Sequence, residues 1–382
     1  MINRTGPYPV SLLRQRGAMI LLSVVLLMML ISLVTLYTGR IKSFEYKVML
    51  NGQNHVSAFA AAETGLMRSL AILVEDKDWE GNLLNETLED ATTYAASGQT
   101  QIINRSSTTM NLVALSSTGT SADGLSQVTL SEQALNYPLL INLPDAAVVV
   151  TGGLDPSGDF VLGTNPNGLG EGIPLSIWSN GEVDMNVSSG STCGQQEFYA
   201  GNCQTLPYSQ NGFEDADILD NDPDFPDDLM EYLFNVPQAQ WNFLQSEAQA
   251  NLTDCALLQS DAVGLIWIDG NCIINSGVQI GSINSPVILV TVDGDVTLHS
   301  GVTLNGILFS FRKPDMGDDF EVHMLGDALV NGAIVSNHPL GHANGALNAV
   351  YNAAILEQLQ QHKTFRRVAR IPGSWKDFNN EL

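Results

Sequence analysis

The sequence predicts an α+β fold in which one long N-terminal helix is followed by a β-rich head. Two observations predict this order. An apolar run without a charged residue lies between Arg16 and Arg40, and β-branched residues broken by Gly, Asn and Asp dominate the chain after Cys255. The second pattern favours a right-handed parallel β-solenoid in the C-terminal part. An antiparallel β-sandwich is the alternative, because the repeat is not strict.

The apolar run, residues 18–38, has the length of a membrane span. About twenty helical residues at about 1.5 Å each cover roughly the 30 Å hydrocarbon thickness of a bilayer. Residues 39–75 then repeat apolar side chains at helical spacing, among them Phe44, Val48 and Leu66. We therefore expect one continuous helix with a transmembrane half and an amphipathic half. A secretory signal peptide is disfavoured, since its apolar core would be shorter and a small-x-small cleavage site would follow.

The N-terminal residues resemble those of type IV prepilins. A basic leader, residues 1–17, ends in Gly17, the apolar run starts at Ala18, and a later segment reads AFAAAETGL from Ala58 to Leu66. Among pilins, the similarity is to the PilX-type minor pilins. The resemblance implies that prepilin peptidase cleaves after Gly17 on the cytoplasmic face, so that Ala18 becomes an N-methylated mature N-terminus.

The same resemblance implies a location and a set of partners. The protein would cross the inner membrane once with its C-terminal head in the periplasm, and it would later lie in the pilus at the cell surface. Its partners there would be other minor pilins and the major pilin.

Leu22 marks a departure from the usual pilin pattern, because most pilins carry a glutamate at this fifth mature position. That carboxylate is thought to neutralise the terminal ammonium of a neighbouring subunit, and an unpaired charge in an apolar core is unfavourable. A subunit without it resembles the GspK-type minor pseudopilins and suits a filament tip. We therefore predict a minor pilin that acts in initiation or at the tip. A minor pseudopilin of a type II secretion system and a membrane-anchored adhesive or glycan-binding protein are the alternatives.

The net charge of −25 argues against nucleic acid as a partner of the head, since phosphate contact needs a basic surface. The four cysteines, Cys193, Cys203, Cys255 and Cys272, allow three pairings that the sequence alone does not distinguish. Local pairing, first with second and third with fourth, is favoured because it closes short loops. Zinc is the rival interpretation, but no C-x-x-C spacing occurs and no histidine lies near the four. Disulfides indicate an oxidising compartment.

The chain beyond the helix is predicted to form two parts. Residues 76–253 would be an irregular, β-rich, pilin-like head, and residues 254–382 a solenoid closed by a capping helix with Leu356 and Leu359 over its end and Trp375 laid across it. The C-terminal segments I-W-I-D-G, S-P-V-I-L-V, G-x-V-x-L and P-G-S-W-K-D-F resemble the C-terminal half of long PilX-type proteins.

An acidic run before residue 234 leaves two interpretations open. Asp220, Asp222 and Asp224 alternate, and Glu231 follows at the twelfth position, as in a calcium loop. Phe225 stands where such a loop needs glycine, however, so an acidic turn that starts a helix at Pro226–Asp227 is the simpler interpretation.

Enzyme activity and a cofactor are not predicted, because no nucleophile elbow, phosphate-binding loop, zinc-protease motif or dinucleotide fingerprint is present. His338 and His342 are four residues apart, but Pro339 and Gly341 argue against a helix that presents both to a metal. A small basic cluster, defined as Lys363, Arg366, Arg367 and Arg370, is expected to be a solvated helix face, with docking of an acidic neighbour as the alternative.

Overall fold

One uninterrupted helix, α1, runs from Gln15 to Glu75 in the computed structural model, which describes residues 15–105, 108–155, 158, 160–185, 189–340 and 347–377. Its 61 residues correspond to roughly 90 Å of helix. Proline is absent from this span, and Leu, Met and Ala, which favour helices, are frequent. The helix ends where Trp79 donates its backbone N–H to the carbonyl of Asp76 and turns the chain. The long N-terminal helix predicted from the sequence is confirmed.

An antiparallel sheet follows the helix. Its first four strands are β1 Gly81–Thr87, β2 Thr93–Arg105, β3 Thr108–Thr120 and β4 Gln127–Pro138, and they pair in this order. Buried and more exposed side chains alternate along β3 and β4, which is the pattern of a sheet covered on one face. The second half of α1 covers that face: Ala58, Leu66 and Leu73 lie in one core with Leu115 and Leu130.

After β4 the chain forms a second, larger body of short strands and helices. The strands up to residue 219 are β5 Val148–Val150, β6 Phe160–Gly163, β7 Asn165–Gly168, β8 Ile173–Leu175, β9 Ile177–Ser179, β10 Ser191–Cys193 and β11 Ile218–Leu219. The strands from residue 250 onward are β12 Ala250–Leu252, β13 Gly264–Asp269, β14 Cys272–Ile274, β15 Gln279–Ile280, β16 Val287–Val292, β17 Val296–Leu298, β18 Thr303–Phe311, β19 Val322–Met324, β20 Leu329–Ser336, β21 Leu347–Val350 and β22 Arg366–Arg370. The helices are α2 Gln195–Tyr199, α3 Leu229–Phe234, α4 Trp241–Ser246 and α5 Ala353–Gln361, with 3₁₀ turns at Gln238–Gln240, Cys255–Leu257 and Lys363–Phe365.

Most of these strands form a parallel β-solenoid, whereas β7 and β8 are an antiparallel pair and β22 belongs to the first sheet. From β20 one row of parallel strands also continues through β21 and β6 to β10. On one side the pairing order is β12, β13, β16, β18, β20, β5, β9 and β11, and every pair is parallel. A second side has the order β14, β17, β19, also parallel. Parallel stacking of successive coils is the arrangement predicted from the sequence, and the sandwich alternative does not describe it.

The order of the coils differs from the order of the chain. Ile334 of β20 pairs with Val148 of β5, so the coils formed by residues 148–219 continue the stack beyond the coils formed by residues 264–336. Residues on both sides of the predicted boundary at 253/254 therefore belong to one sheet. The solenoid is also an insertion, because the chain returns to the antiparallel sheet, where Arg366 of β22 pairs with Pro138 of β4.

The main side of the solenoid is covered on its outer face by helices. Val287 to Val292 are all buried, which indicates contact on both faces of the sheet. Trp241 of α4 stacks on Trp267 with ring centroids 6.0 Å apart, and Phe234 of α3 stacks on Phe309 at 6.2 Å. Because both faces of these strands are buried, their apolar side chains do not have to alternate with polar ones.

The predicted capping helix, α5, lies elsewhere than expected. Leu356 and Leu359 are buried in the solenoid core, but α5 contacts β18 and β20, which are in the middle of the stack and not at an end. Trp375 also lies elsewhere. Its ring is edge-on to Phe59 of α1 at 6.3 Å, because Lys376 pairs with Ser131 of β4 and returns the C-terminal segment to the antiparallel sheet.

Candidate functional site

The first half of α1 is the candidate functional site, because it exposes an apolar surface that water does not favour. Every side chain from residue 18 to residue 53 is exposed. Soluble monomers rarely expose contiguous apolar patches larger than a few hundred Å². This half of the helix is long and apolar enough to cross a bilayer. It can therefore anchor the chain in a membrane or enter a bundle of similar helices.

The hydroxyl groups in this half of α1 are satisfied within the helix. Ser32 Oγ donates to the carbonyl of Met28 at 2.8 Å, and Thr38 Oγ1 donates to that of Val34 at 2.9 Å. Ser23 and Thr35 make the same kind of bond to the preceding turn. Because these polar hydrogens have acceptors, burial in lipid or among helices leaves none of the four unpaired.

A charged border ends the apolar surface. Arg40 is the first charged residue after Arg16, and Lys42 Nζ lies 3.2 Å from Glu45 Oε2 one turn later. Glu45 is also the first acidic residue of the sequence. The apolar segment thus contains no carboxylate that could pair with a positive charge near its beginning.

The predicted cleavage site lies in the first turns of α1. The backbone is helical at Gly17 and Ala18, whereas residues 1–14 of the predicted leader lie outside the described residues. Leu22, which stands at the position where most pilins carry a glutamate, is 63% exposed. Cleavage after Gly17 remains a prediction.

Small residues hold the second half of α1 against the sheet. Ala58, Ala61, Ala62 and Ser69 are buried, and Ser69 Oγ donates to the carbonyl of Gly65 at 2.9 Å. The opposite side of the same helix exposes apolar side chains, namely Val56, Met67 and Val74. The second half of α1 therefore exposes apolar side chains on one side while its other side packs against the head.

The cysteines form the two local disulfides that the sequence favoured. Cys193 pairs with Cys203, Cα atoms 5.2 Å apart, and Cys255 pairs with Cys272 at 4.9 Å. β10 and β14, which carry Cys193 and Cys272, are outermost strands of their faces. Because β10 belongs to the coils after β20 and β14 to the first coil, the two disulfides lie at opposite ends of the stack. Each one ties a segment of the chain to the strand at its end of the stack: Cys203 to β10, and the 3₁₀ turn Cys255–Leu257 to β14.

The acidic run forms hydrogen bonds within the fold. Asp222 Oδ2 accepts from the indole N–H of Trp178 at 2.7 Å, and its Oδ1 accepts from the backbone N–H of Asp224 at 3.0 Å. Asp220 accepts from the side-chain amide of Asn221 at 2.8 Å. In the described part of the chain, no three His, Cys, Asp or Glu residues are grouped so as to hold a metal ion. The helix starts later than predicted, with Asp228 as the N-cap of α3.

His338 is a structural residue. Its ring is fully buried, with Nε2 3.0 Å from Ser310 Oγ and Nδ1 2.9 Å from the carbonyl oxygen of Pro339. Burial lowers the pKa of His338, and the contact with Pro339 opposes that effect. The other member of the pair, His342, lies outside the described residues.

The arginines of the basic cluster hold β22 in place, two of them against β4 of the same sheet and one against Glu247 at the end of α4. Arg366 is buried, and its Nε donates to Asn136 Oδ1 at 2.8 Å. Arg367 pairs with Glu247, and Arg370 Nε donates to Glu132 Oε1 at 2.6 Å. All three residues lie on β22, after α5 and the 3₁₀ turn, so the predicted solvated helix face is wrong for them. Nothing in the sequence indicated that the last strand would return to β4.

Comparison with known proteins gives little similarity. No family model matches the chain, and no curated protein matches it. Among solved structures, the chain is similar to the competence-associated pilin ComZ from Thermus thermophilus, with 12% sequence identity and a TM-score of 0.27. The match covers 85% of this chain and 97% of that one.

Proposed function

We propose that this chain is a minor pilin that acts in initiation or at the tip of type IV pilus assembly and is anchored in the inner membrane beforehand. The observation that carries the proposal is the division of α1 into two halves. The first half is apolar and exposed on all sides, and the second half is buried on one side against a sheet. A helix of this kind connects an apolar assembly to a folded head.

The proposed mechanism is transfer of one helix between two apolar environments. The first half of α1 lies in the lipid bilayer, with the head in the periplasm, and then moves into a bundle of similar helices in the filament. The exchange is nearly neutral in free energy, since lipid tails and a helix bundle are both apolar. Specificity for the other minor pilins and the major pilin then comes from the head and from the exposed stripe of Val56, Met67 and Val74.

The chemistry of the N-terminus supports the place at a filament end. In this proposal prepilin peptidase cleaves after Gly17, and the new ammonium at Ala18 has no carboxylate in its own helix before Glu45. Leu22 also offers no carboxylate to a neighbour. A subunit that cannot supply this pairing fits where fewer neighbours surround it, and the large head also fits best there. Enzyme activity and nucleic-acid partners are not part of the proposal.

The decisive experiment determines the N-terminus and the copy number of the protein. Mass spectrometry of protein from membranes is expected to give a chain that begins at Ala18, and Gly17→Leu is expected to keep the leader. Gly39→Leu, at a glycine with no neighbour within 4 Å, is the matched control and should be processed normally. A chain in membranes that begins at Met1, or after Arg40, overturns the proposal. Abundance in filaments equal to that of a major pilin overturns the place at the tip.

A second candidate function is adhesion through the β-rich head. The last residue of α2 and the segment after the Cys193–Cys203 disulfide expose large side chains: Tyr199 and Leu206 are each 60% exposed and Phe213 is 56% exposed. Aromatic side chains that expose a ring are suited to contact with a glycan or a surface. A deletion strain separates the candidates. Loss of pili supports the minor pilin, loss of protein export supports a secretion pseudopilin, and lost attachment with normal pili supports the adhesin.

A further inference from the structure

The antiparallel sheet has an open edge on part of β2. β1 pairs with β2 only from Gly98 to Thr93, and the ring of Trp79 lies against Gly98 where this pairing ends. The rest of β2, from residue 99 to Arg105, pairs with β3 on one side, and no described residue pairs with it on the other. We call residues 99–104 the open edge.

Backbone groups of the open edge are available for hydrogen bonding. Successive residues of a strand direct their N–H and C=O groups to opposite sides, so alternate residues of the open edge offer both groups outward. The side chains are exposed as well: Ile102 is 65% exposed and Ile103 is 39% exposed. An exposed, unpaired and uncharged strand edge is an efficient template for another strand.

The open edge lacks the charges that usually protect such edges. Between Asp90 and Asp123 the only charged residue is Arg105, in a chain in which 15% of residues are charged. Natural edge strands are generally blocked by lysine, proline or a bulge. Residues 99–104, Gln-Thr-Gln-Ile-Ile-Asn, contain no lysine or proline, and they pair with β3 in unbroken register.

The charge of the head decides which strand fits. Ten basic and forty acidic side chains follow residue 50, which gives a formal charge of −30. A second copy would place two heads of the same large negative charge side by side, with their edge strands about 4.8 Å apart, and a net charge of this size opposes self-association. The open edge carries no charge that could pair with a charged side chain of its occupant, and an unpaired charge is unfavourable in a contact. Its occupant is therefore an uncharged extended strand on a less acidic neighbour.

We infer that the open edge of β2 binds an extended, uncharged β-strand from another subunit of the assembly, which extends the sheet that covers α1. This inference rests on the proposed function, because it assumes that α1 brings a neighbouring head close. Strand addition of this type gives affinity through main-chain hydrogen bonds and selectivity through alternate side chains. In this arrangement the heads of two subunits are joined through their sheets, and the first halves of their α1 helices are joined in the helix bundle.

Hydrogen exchange measures the occupancy of this edge directly. The full-length protein in detergent is compared with the same protein in isolated pili, and the peptide that covers residues 99–104 is followed by mass spectrometry. Amides in the open edge are expected to exchange at least about tenfold more slowly in pili, as bonded amides do. Residues 112–118 of β3, which pair on both sides in either state, and the exposed turn at Leu125 are the internal controls.

Each result of this comparison is decisive. Equal exchange in both samples, with the protein present in pili, overturns the inference and leaves the proposed function intact. Absence of the protein from both membranes and pili overturns both. Protection of residues 99–104 in detergent together with a dimer overturns the assigned occupant and replaces it with a second copy.

Substitutions on the edge provide an independent test. Ile102→Lys places a charge on the open edge and is expected to reduce the amount of protein in pili about tenfold relative to the membrane pool. Ile102→Thr, which keeps a β-branched uncharged residue, should retain incorporation. Leu125→Lys, at a position that is 83% exposed outside the edge, is the matched control. An unchanged melting temperature and intact disulfides show that each variant folds, and normal incorporation of folded Ile102→Lys overturns the inference.

Discussion

Gly119 of β3 lies directly against the backbone of α1 at Ala58. A Cβ atom on residue 119 would overlap with the carbonyl oxygen of Ala58 and with the backbone nitrogen of Ala62. Helix and sheet therefore meet backbone to backbone at this point, and the small buried side chains of Ala58 and Ala62 allow the approach. This contact sets how closely the second half of α1 approaches β3.

Gly119→Ala is expected to lower the free energy of unfolding by about 1–3 kcal/mol, the usual range for overpacking in a core. Urea denaturation of the full-length protein in detergent measures the effect. Gly52→Ala is the control, because no atom lies within 4 Å of the added methyl group. Since alanine favours helices more than glycine does, the control should leave the free energy of unfolding unchanged or raise it by up to about 0.5–1 kcal/mol. Equal effects of the two substitutions would contradict the contact.

Removal of either disulfide is expected to destabilise one end of the solenoid. The bonds close segments of 10 and 17 residues, and chain-entropy arguments assign each about 3 kcal/mol. Because they lie at opposite ends of the stack, the losses from Cys193→Ala/Cys203→Ala and from Cys255→Ala/Cys272→Ala should be additive within about 0.5 kcal/mol. Denaturant titrations of both double variants and of the quadruple variant test this, and peptide mapping that finds four free thiols would refute it.

Arg366 is expected to hold β22 against β4, so that the antiparallel sheet closes again after the inserted solenoid. Its guanidinium donates to the side-chain and main-chain oxygens of Asn136, and both residues are buried. Arg366→Met removes both bonds and should lower the free energy of unfolding by about 2–3 kcal/mol, as expected for hydrogen bonds to a charged group. Lys42→Met, which removes an exposed ion pair with Glu45, should change it by less than about 0.5 kcal/mol. An equally small change for Arg366→Met would contradict its role.

Calcium is not expected to stabilise the acidic run. Asp222 already accepts hydrogen bonds from Trp178 and Asp224, so the geometry of this carboxylate serves the fold. We expect the melting temperature to be unchanged by millimolar Ca²⁺, whereas Asp222→Ala should lower it because the buried indole N–H loses its acceptor. A rise in melting temperature with calcium that is absent in Asp222→Ala would restore the calcium-loop interpretation.

The sequence predicted those features that depend on local pattern. The helix up to Glu75, the parallel coils after Gly264 and the pairing of nearby cysteines all follow from periodicity, turn residues or short separation. Continuity of α1 could be predicted because no residue between Ala18 and Glu75 is a proline and the apolar pattern never changes phase.

The features that were not predicted depend on contacts between distant segments. The pairing of Ile334 with Val148 joins residues 186 positions apart, and that of Arg366 with Pro138 joins residues 228 positions apart. No local pattern indicates such a partner, because a buried parallel strand has the same composition in any position of a stack. The positive charge of the basic cluster also did not indicate that Arg366 is buried, because its hydrogen-bond partner Asn136 lies 230 residues earlier in the sequence.

His338 is expected to make the head less stable in mild acid. Burial lowers its pKa below the ordinary value of about 6.5, so the folded chain keeps the ring neutral where the unfolded chain already binds a proton. The contribution of His338 to the free energy of unfolding is therefore complete above about pH 6.5. It is lost as the pH falls towards the lowered pKa, by at most about 1.4 kcal/mol per pH unit. Ser310, the carbonyl of Pro339 and the ring of Phe320 surround it.

Denaturant titrations between pH 7.5 and about 5 measure this dependence when the parent protein is compared with variants at a histidine. His338→Gln should remove part of the slope that the parent protein shows below pH 6.5, whereas His55→Gln, at an exposed position of α1, is the matched control and should retain it. Buried carboxyls act in the opposite direction: burial raises the pKa of Asp145 and of Asp217, so their contribution is lost as the pH rises. They are common to all three proteins and cancel in the comparison. Parallel pH profiles of the parent and His338→Gln would show that the buried imidazole does not set the acid limit.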